Sequence, residues 1–201
     1  MKLKIILSAI LVLGLAGCNA LEDHSTSGST LILTSITGSD LQGGSGSTIA
    51  YSDVIQNDGS IVNDIGEATV TAQLLDPNYP DTPTYYQDVI VDQVDVEYFR
   101  TDGRNTPGVD VPYAFSEPLN VYVQTGKSAI FGFTLVRHTA KLEAPLLNLV
   151  YQPQQVLQLV AKVTFYGKDV GGHRVQPVTG YITIYCANFA DYVPPEPEPT
   201  S

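Results

Sequence analysis

The chain has 201 residues, 43% of them apolar and 15% charged, which is enough apolar content for a packed core of ordinary domain size. It carries 10 basic against 21 acidic residues, a net charge of −11, and so lacks the basic footprint that nucleic-acid binding needs. The same balance argues against electrostatic adhesion to anionic lipid and leaves divalent cations and basic partners open.

Lys2 and Lys4 make a positive start, and residues 5–15 form an apolar run interrupted only by Ser8 and Gly14. That run is too short to span a bilayer, which takes about 20 apolar residues. A basic start, a short apolar stretch and small residues at the cut have the form of a secretory signal. The stretch ends in Leu15-Ala16-Gly17-Cys18, which resembles the lipobox of bacterial lipoproteins. The resemblance implies a signal peptide over residues 1–17, diacylglyceryl transfer to the Cys18 thiol, cleavage before Cys18 and acylation of the new amine. Several acyl chains hold a protein to a membrane stably where one holds it marginally. Asn19, rather than an aspartate, follows the cysteine; by resemblance to enteric-type sorting this favours the outer membrane, with either face open. Cleavage removes two lysines and no acid, so the mature chain has 8 basic and 21 acidic residues, a net charge of −13. Cys186 is then the only free thiol, which excludes an intramolecular disulfide.

Residues 18–30 are rich in Ser, Thr and Gly and read as a flexible tether. Residues 194–201 are a Pro/Glu-rich tail suited to an extended, solvated conformation. The folded part is expected over residues 31–193, where period-two alternation dominates. Ala68, Val70, Ala72 and Leu74 alternate with polar residues, and so do Ala129, Phe131, Phe133 and Leu135. Leu157, Leu159, Ala161, Val163 and Phe165 follow the same rule, as do Ile182, Ile184 and Cys186. These patterns predict half-buried strands of antiparallel sheets. Between Val89 and Tyr98 the parity switches, which predicts a β-bulge near Asp92-Gln93. Weaker strands are expected over 31–37, 48–54 and 119–123, and no segment shows a sustained helical period.

About eight strands separated by turn signals indicate an all-β chain, a single antiparallel β-sandwich. The last pair, joined by Lys168-Asp169-Val170-Gly171-Gly172, resembles the final hairpin of an immunoglobulin-like or fibronectin-like domain, without the tryptophan and disulfide of antibody domains. If successive strands alternate direction, loops 53–66, 100–118, 137–155 and 188–191 gather at one end. Loops 76–87, 124–127 and 168–177 gather at the other. The loops at 100–118 and 137–155 are long enough to be functional or disordered. The first holds Asp102-Gly103-Arg104-Asn105-Thr106-Pro107-Gly108-Val109-Asp110-Val111-Pro112-Tyr113, and Val109, Val111, Tyr113 and Phe115 are spaced to bury one side of it. With Arg137-His138-Thr139-Ala140-Lys141-Leu142-Glu143 and Ala187-Asn188-Phe189-Ala190-Asp191, that loop resembles a family of uncharacterised bacterial envelope lipoproteins. The resemblance implies no activity.

No catalytic motif stands out. His138 and His173 fall at opposite expected ends, and no G-x-S-x-G pattern accompanies either. Cys186 shares parity with Ile182 and Ile184, so it should face the core and be inert. Two sets of residues carry possible binding chemistry. Asp53, Asp58, Asp64, Asp102 and Asp110, with Asn63 and Asn105, share one expected end and have the oxygen chemistry of a calcium site. Arg100, Arg104, Arg137 and Lys141 share that end too and would otherwise pair those acids. At the opposite end, Tyr79, Tyr85 and Tyr86 lie in a proline-stiffened segment suited to contacting glycan or protein, or else to packing at the start of the next strand. The expectation is a lipid-anchored, non-catalytic binding or structural module of the cell envelope. A calcium-dependent adhesion or glycan-binding domain is the alternative, and an envelope enzyme comes third.

Overall fold

The structure is a computed structural model that describes residues 26–40, 44, 46–76, 78 and 83–189. The signal peptide, Cys18, Tyr79 and the 194–201 tail lie outside the described residues. The chain is mostly β, in two packed sheets. One holds β1 (Ser29–Thr37), β3 (Asp64–Leu74) and β6 (Ser128–Val136), in the order β1-β3-β6. The other runs β2-β8-β7-β4-β5, with β2 at Ile49–Asp53, β4 at Val89–Phe99, β5 at Phe115–Val123, β7 at Leu157–Asp169 and β8 at Arg174–Ala187.

The domain begins earlier than residue 31. Ser27 and Ser29 are buried, Ser27 donates its backbone N–H to the Arg174 carbonyl at 3.1 Å, and Ser29 Oγ donates to the Gln87 carbonyl at 2.6 Å. The Ser27 hydroxyl in turn accepts from the Ser29 N–H at 3.0 Å, so residues that look like linker in composition are tied into the fold by hydrogen bonds that composition does not reveal.

Pairing is antiparallel throughout except at one edge, where β2 runs parallel to β8 with Ser52 opposite Cys186. This departs from the all-antiparallel expectation. After β1 the chain closes a loop through reciprocal Gly38–Ser47 hydrogen bonds of 2.8 and 3.2 Å, then crosses to the other sheet. A Cβ at Gly38 would stand 2.5 Å from the Ala50 Cβ, so the crossover is possible only for a residue without one. The expected bulge is present: β4 shifts register between Val91 and Gln93 against both its neighbours. Val89 and Val91 before it, and Val94, Val96 and Tyr98 after it, all reach the core. Opposite the bulge lies Pro118 on the outer strand β5, where the missing N–H costs no ladder bond on the open side.

Strand β5 starts at Phe115, so the long loop before it ends at Ala114 rather than 118. The second long connection contains two short helices, α1 (His138–Lys141) and α2 (Leu146–Val150), flanking a cis Ala144–Pro145 bond. Four or five residues are too few to show a helical period in sequence. Tertiary burial of Ala140, Leu146, Leu149 and Val150 supports these turns instead.

The core lies between the sheets. Phe165 of β7 is fully buried and meets Phe131 and Phe133 of β6 edge to face, with centroids at 5.4 and 5.3 Å and interplanar angles of 85° and 88°. Tyr98 of β4 donates its hydroxyl to the Leu135 carbonyl of β6 at 2.6 Å, joining the sheets by a polar contact, and burial holds its phenol well above the ordinary range. Cys186 is fully buried, as its parity required, and burial pushes its thiol up to about 12. Cys186→Ser should destabilise by about 1–3 kcal/mol, because a hydroxyl costs more than a thiol to hold in a site with no access to water. Thiol labelling during urea titration checks the same point: label should enter only across the unfolding transition, and rapid labelling of native protein would contradict the burial.

Candidate functional site

The two ends of the fold carry different chemistry. At the end that holds α1, the acids meet cations and backbone N–H groups rather than one another. Asp102 takes Arg100 at 2.5 Å and Arg104 at 2.8 Å, and the Arg100 hydrogen bonds hold its carboxyl well below the usual carboxylate range. Asp110 accepts from the Thr106 backbone N–H at 3.2 Å, Asp58 from Ser60 at 2.9 Å, and Asp53 from Phe189 at 3.1 Å. Asp64 binds Lys141 Nζ at 2.8 Å. Asn63 accepts from His138, and the Asn105 side chain accepts from the Arg100 backbone at 2.6 Å. Among the described residues no group of three or more His, Cys, Asp or Glu converges as a metal ion would require. Asp53, Asp58, Asp64, Asp102 and Asp110 do not form such a group: Asp58, Asp102 and Asp110 are held within their own loops, whereas Asp53 accepts from Phe189 and Asp64 binds Lys141.

The 100–114 loop is ordered against the 137–144 connection, since Pro112 and Tyr113 line one cleft of about 390 Å³ with Arg137, Thr139 and Glu143. Its burial differs from the period-two expectation. Val111 and Phe115 are buried, but Val109 and Tyr113 are 65% and 54% exposed. The reason is a compact turn in which the Thr106 carbonyl accepts from the N–H groups of 109, 110 and 111, so alternation does not apply there. Arg137 meets no carboxylate among the described contacts; its guanidinium lies 4.4 Å from the centre of the Phe115 ring.

The opposite end presents aromatic surface. Tyr85 and Tyr86 sit on a 3-10 turn, Tyr85–Gln87, and are 64% and 68% exposed. Their rings meet edge to face at 6.1 Å, and Tyr85 lies 6.5 Å from Tyr122 of β5, itself 49% exposed. The turn is tied down from several directions. Gln87 Oε1 accepts from the Thr84 N–H at 2.7 Å, and the Gln87 carbonyl accepts from both Ser29 and Thr125 hydroxyls at 2.6 Å. Val170 donates to the Asp88 carbonyl at 2.9 Å and Gly171 to that of Tyr86 at 3.3 Å. Asp88, 5% exposed, accepts from the Thr125 N–H at 2.8 Å and from the Tyr122 hydroxyl. That last bond is the main reason the Tyr122 phenol is pushed up to about 12. Three tyrosine faces are thus displayed on a rigid base. Tyr86 and Tyr85 were legible in the sequence; Tyr122 was missed, although its even position between Val121 and Val123 marks it as outward-facing.

His138 and His173 sit at opposite ends. His138 pairs with Asn63 at 3.0 Å, and His173 pairs with Asp169 at 3.1 Å. Ser27 stands beside Asp169 rather than beside the imidazole, so the order is not that of a nucleophile held by a base. Among the described residues no helix is long and apolar enough to cross a membrane. Comparison with protein-family models found no match, and comparison with curated proteins found none either.

Proposed function

We propose that this chain is a lipid-anchored envelope protein whose mature part is an immunoglobulin-like or fibronectin-like module that binds through its tyrosine end and performs no catalysis. The anchor rests on Leu15-Ala16-Gly17-Cys18 behind a basic, apolar start. The outer membrane is the favoured destination because Asn19 follows the cysteine. Support for the immunoglobulin-like reading is the strand order, three strands β1-β3-β6 against β8-β7-β4-β5 with β2 added in parallel at the edge. The single observation that carries the binding reading is the platform of Tyr85, Tyr86 and Tyr122 held over the buried Asp88. Flat aromatic faces with polar tips, fixed before contact, suit the apolar faces and hydroxyls of a glycan and lower the entropy cost of binding. An envelope protein surface is the second occupant that such a platform suits.

Two outcomes test this. Cys18→Ala should release the protein from membranes into the soluble fraction while leaving its unfolding curve unchanged; retention on membranes after a salt wash would remove the lipoprotein reading. The Tyr85→Ala/Tyr86→Ala protein should keep its stability to within about 0.5 kcal/mol, because both side chains are exposed. It should lose at least about 1 kcal/mol of binding, roughly fivefold in affinity, toward envelope glycans displayed on an array. Equal binding by the two proteins would move the recognition surface elsewhere.

A further inference from the structure

Lys141 is the largest side chain with no exposure at all. Its Nζ lies 2.8 Å from Asp64 Oδ1 and 2.8 Å from the Asp53 carbonyl. Asp64 is close to sealed, with 15% side-chain exposure, and its second oxygen, Oδ2, is buried with no hydrogen-bond partner. Ser52 Oγ is likewise buried and without a well-formed partner, close to the Asp64 carboxyl. Ser52 pairs in register with Cys186, so the group lies against the fully buried end of β8.

As an ion pair this arrangement is poorly satisfied. An ammonium has three N–H groups and a carboxylate two oxygens, all needing partners when buried. Here the ammonium has two acceptors and one carboxylate oxygen has none. As an amide the same atoms are better accommodated. The single N–H would donate to the Asp53 carbonyl, one oxygen would be gone, and the remaining one would lie near the Ser52 hydroxyl. No charge would stay buried.

We propose that the Lys141 amine and the Asp64 carboxyl condense within the folded protein to an amide that ties α1 to the start of β3. The ammonium first passes a proton to the carboxylate across their hydrogen bond, leaving a neutral amine and a neutral acid. Burial favours the neutral acid: it raises the Asp64 carboxyl above its ordinary range against the opposing pull of Lys141. The Nζ lone pair then attacks Cγ and the C–N bond forms. The C–OH bond breaks, and the hydroxyl leaves with a proton from nitrogen as one water. Nothing is oxidised or reduced, and no co-reactant is required. In bulk water such a condensation is unfavourable, but a fixed contact has an effective molarity of about 10⁵–10⁸ M, and the attacking Lys141 side chain has no exposure to water.

The test is mass spectrometry on the full-length protein purified in detergent, beside Lys141→Met and Asp64→Ala proteins carrying the same N-terminal modification. The wild-type chain should be lighter by one water, about 18 Da, than the mass the two variants imply. After denaturation and trypsin, it should give a branched peptide joining the segments around Asp64 and Lys141, with no cut after Lys141. A full-mass wild-type chain, cleaved after Lys141 into unbranched peptides, overturns the proposal. The digest of the wild-type chain decides the matter even if a variant fails to fold.

Discussion

Phe165→Ala should destabilise the domain by about 3–5 kcal/mol, the range for deleting a fully buried aromatic side chain. The size follows from position. Phe165 on β7 is the ring that Phe131 and Phe133 of the opposite sheet both contact edge to face, so its removal leaves a hole on the joint between the sheets. Neither partner can fill it without leaving its own strand position. Two aromatic pairs are lost as well, each worth about 0.5–1.5 kcal/mol beyond its buried area. Against a total stability of about 5–15 kcal/mol, the loss is large enough to bring the domain near its unfolding midpoint under mild denaturant. Urea unfolding followed by far-ultraviolet circular dichroism measures it. A shift under about 1 kcal/mol would mean that the sheets close over the gap and that the triad of rings does not hold them together.

Asp64→Ala should cost a similar amount, about 3–5 kcal/mol, because it leaves the Lys141 amine buried without its acid. Lys141→Met should cost less. The Asp64 side chain retains 15% exposure and can reach water when its partner is gone, whereas Lys141 has none. Methionine also keeps the length and much of the volume of the lysine stem, so little cavity forms. Chemical unfolding of the two proteins side by side gives the comparison. An Asp64→Ala protein as stable as the wild type would show that the amine escapes to solvent and that this end is looser than its burial indicates.

The sequence carried the strands well, because a half-buried strand must alternate and the alternation survives in the residues. β3, β7 and β8 follow it, β6 does so until Phe133–Val136, where four successive residues are buried, and the parity break in β4 predicts the bulge near Asp92-Gln93, where the register shifts. Alternation also failed where the backbone was not extended. In the 106–111 turn, Val109 faces out although Val111 faces in. The short helices α1 and α2 left no periodic trace and exist because their apolar residues reach the core. Six serines, threonines and glycines over 25–30 can make either a tether or a first strand, and only the carbonyls of Gln87 and Arg174 draw Ser29 and Ser27 inward.

The candidate sites divide along the same line. That acids and cations share the α1 end was readable from loop order, but which of them meet was not. Asp102 pairs with arginines two residues away on either side, a local event. Asp64 pairs with a lysine 77 positions on, which depends on both sheets being in place. Among the described residues Arg137 meets no carboxylate, and its guanidinium lies over the Phe115 ring instead.

The sequence by itself determined the acidic balance, the all-β class and the inward course of Cys186, since each follows from composition or from a period along one stretch of chain, and the proposed N-terminal signal rests on sequence alone. Only the tertiary structure decided the parallel edge β2–β8, the burial of Lys141 against Asp64, and the meeting of Tyr122 with Tyr85. Each of these brings together residues far apart in the chain, and their proximity is a consequence of how two sheets pack rather than of any local preference the residues possess.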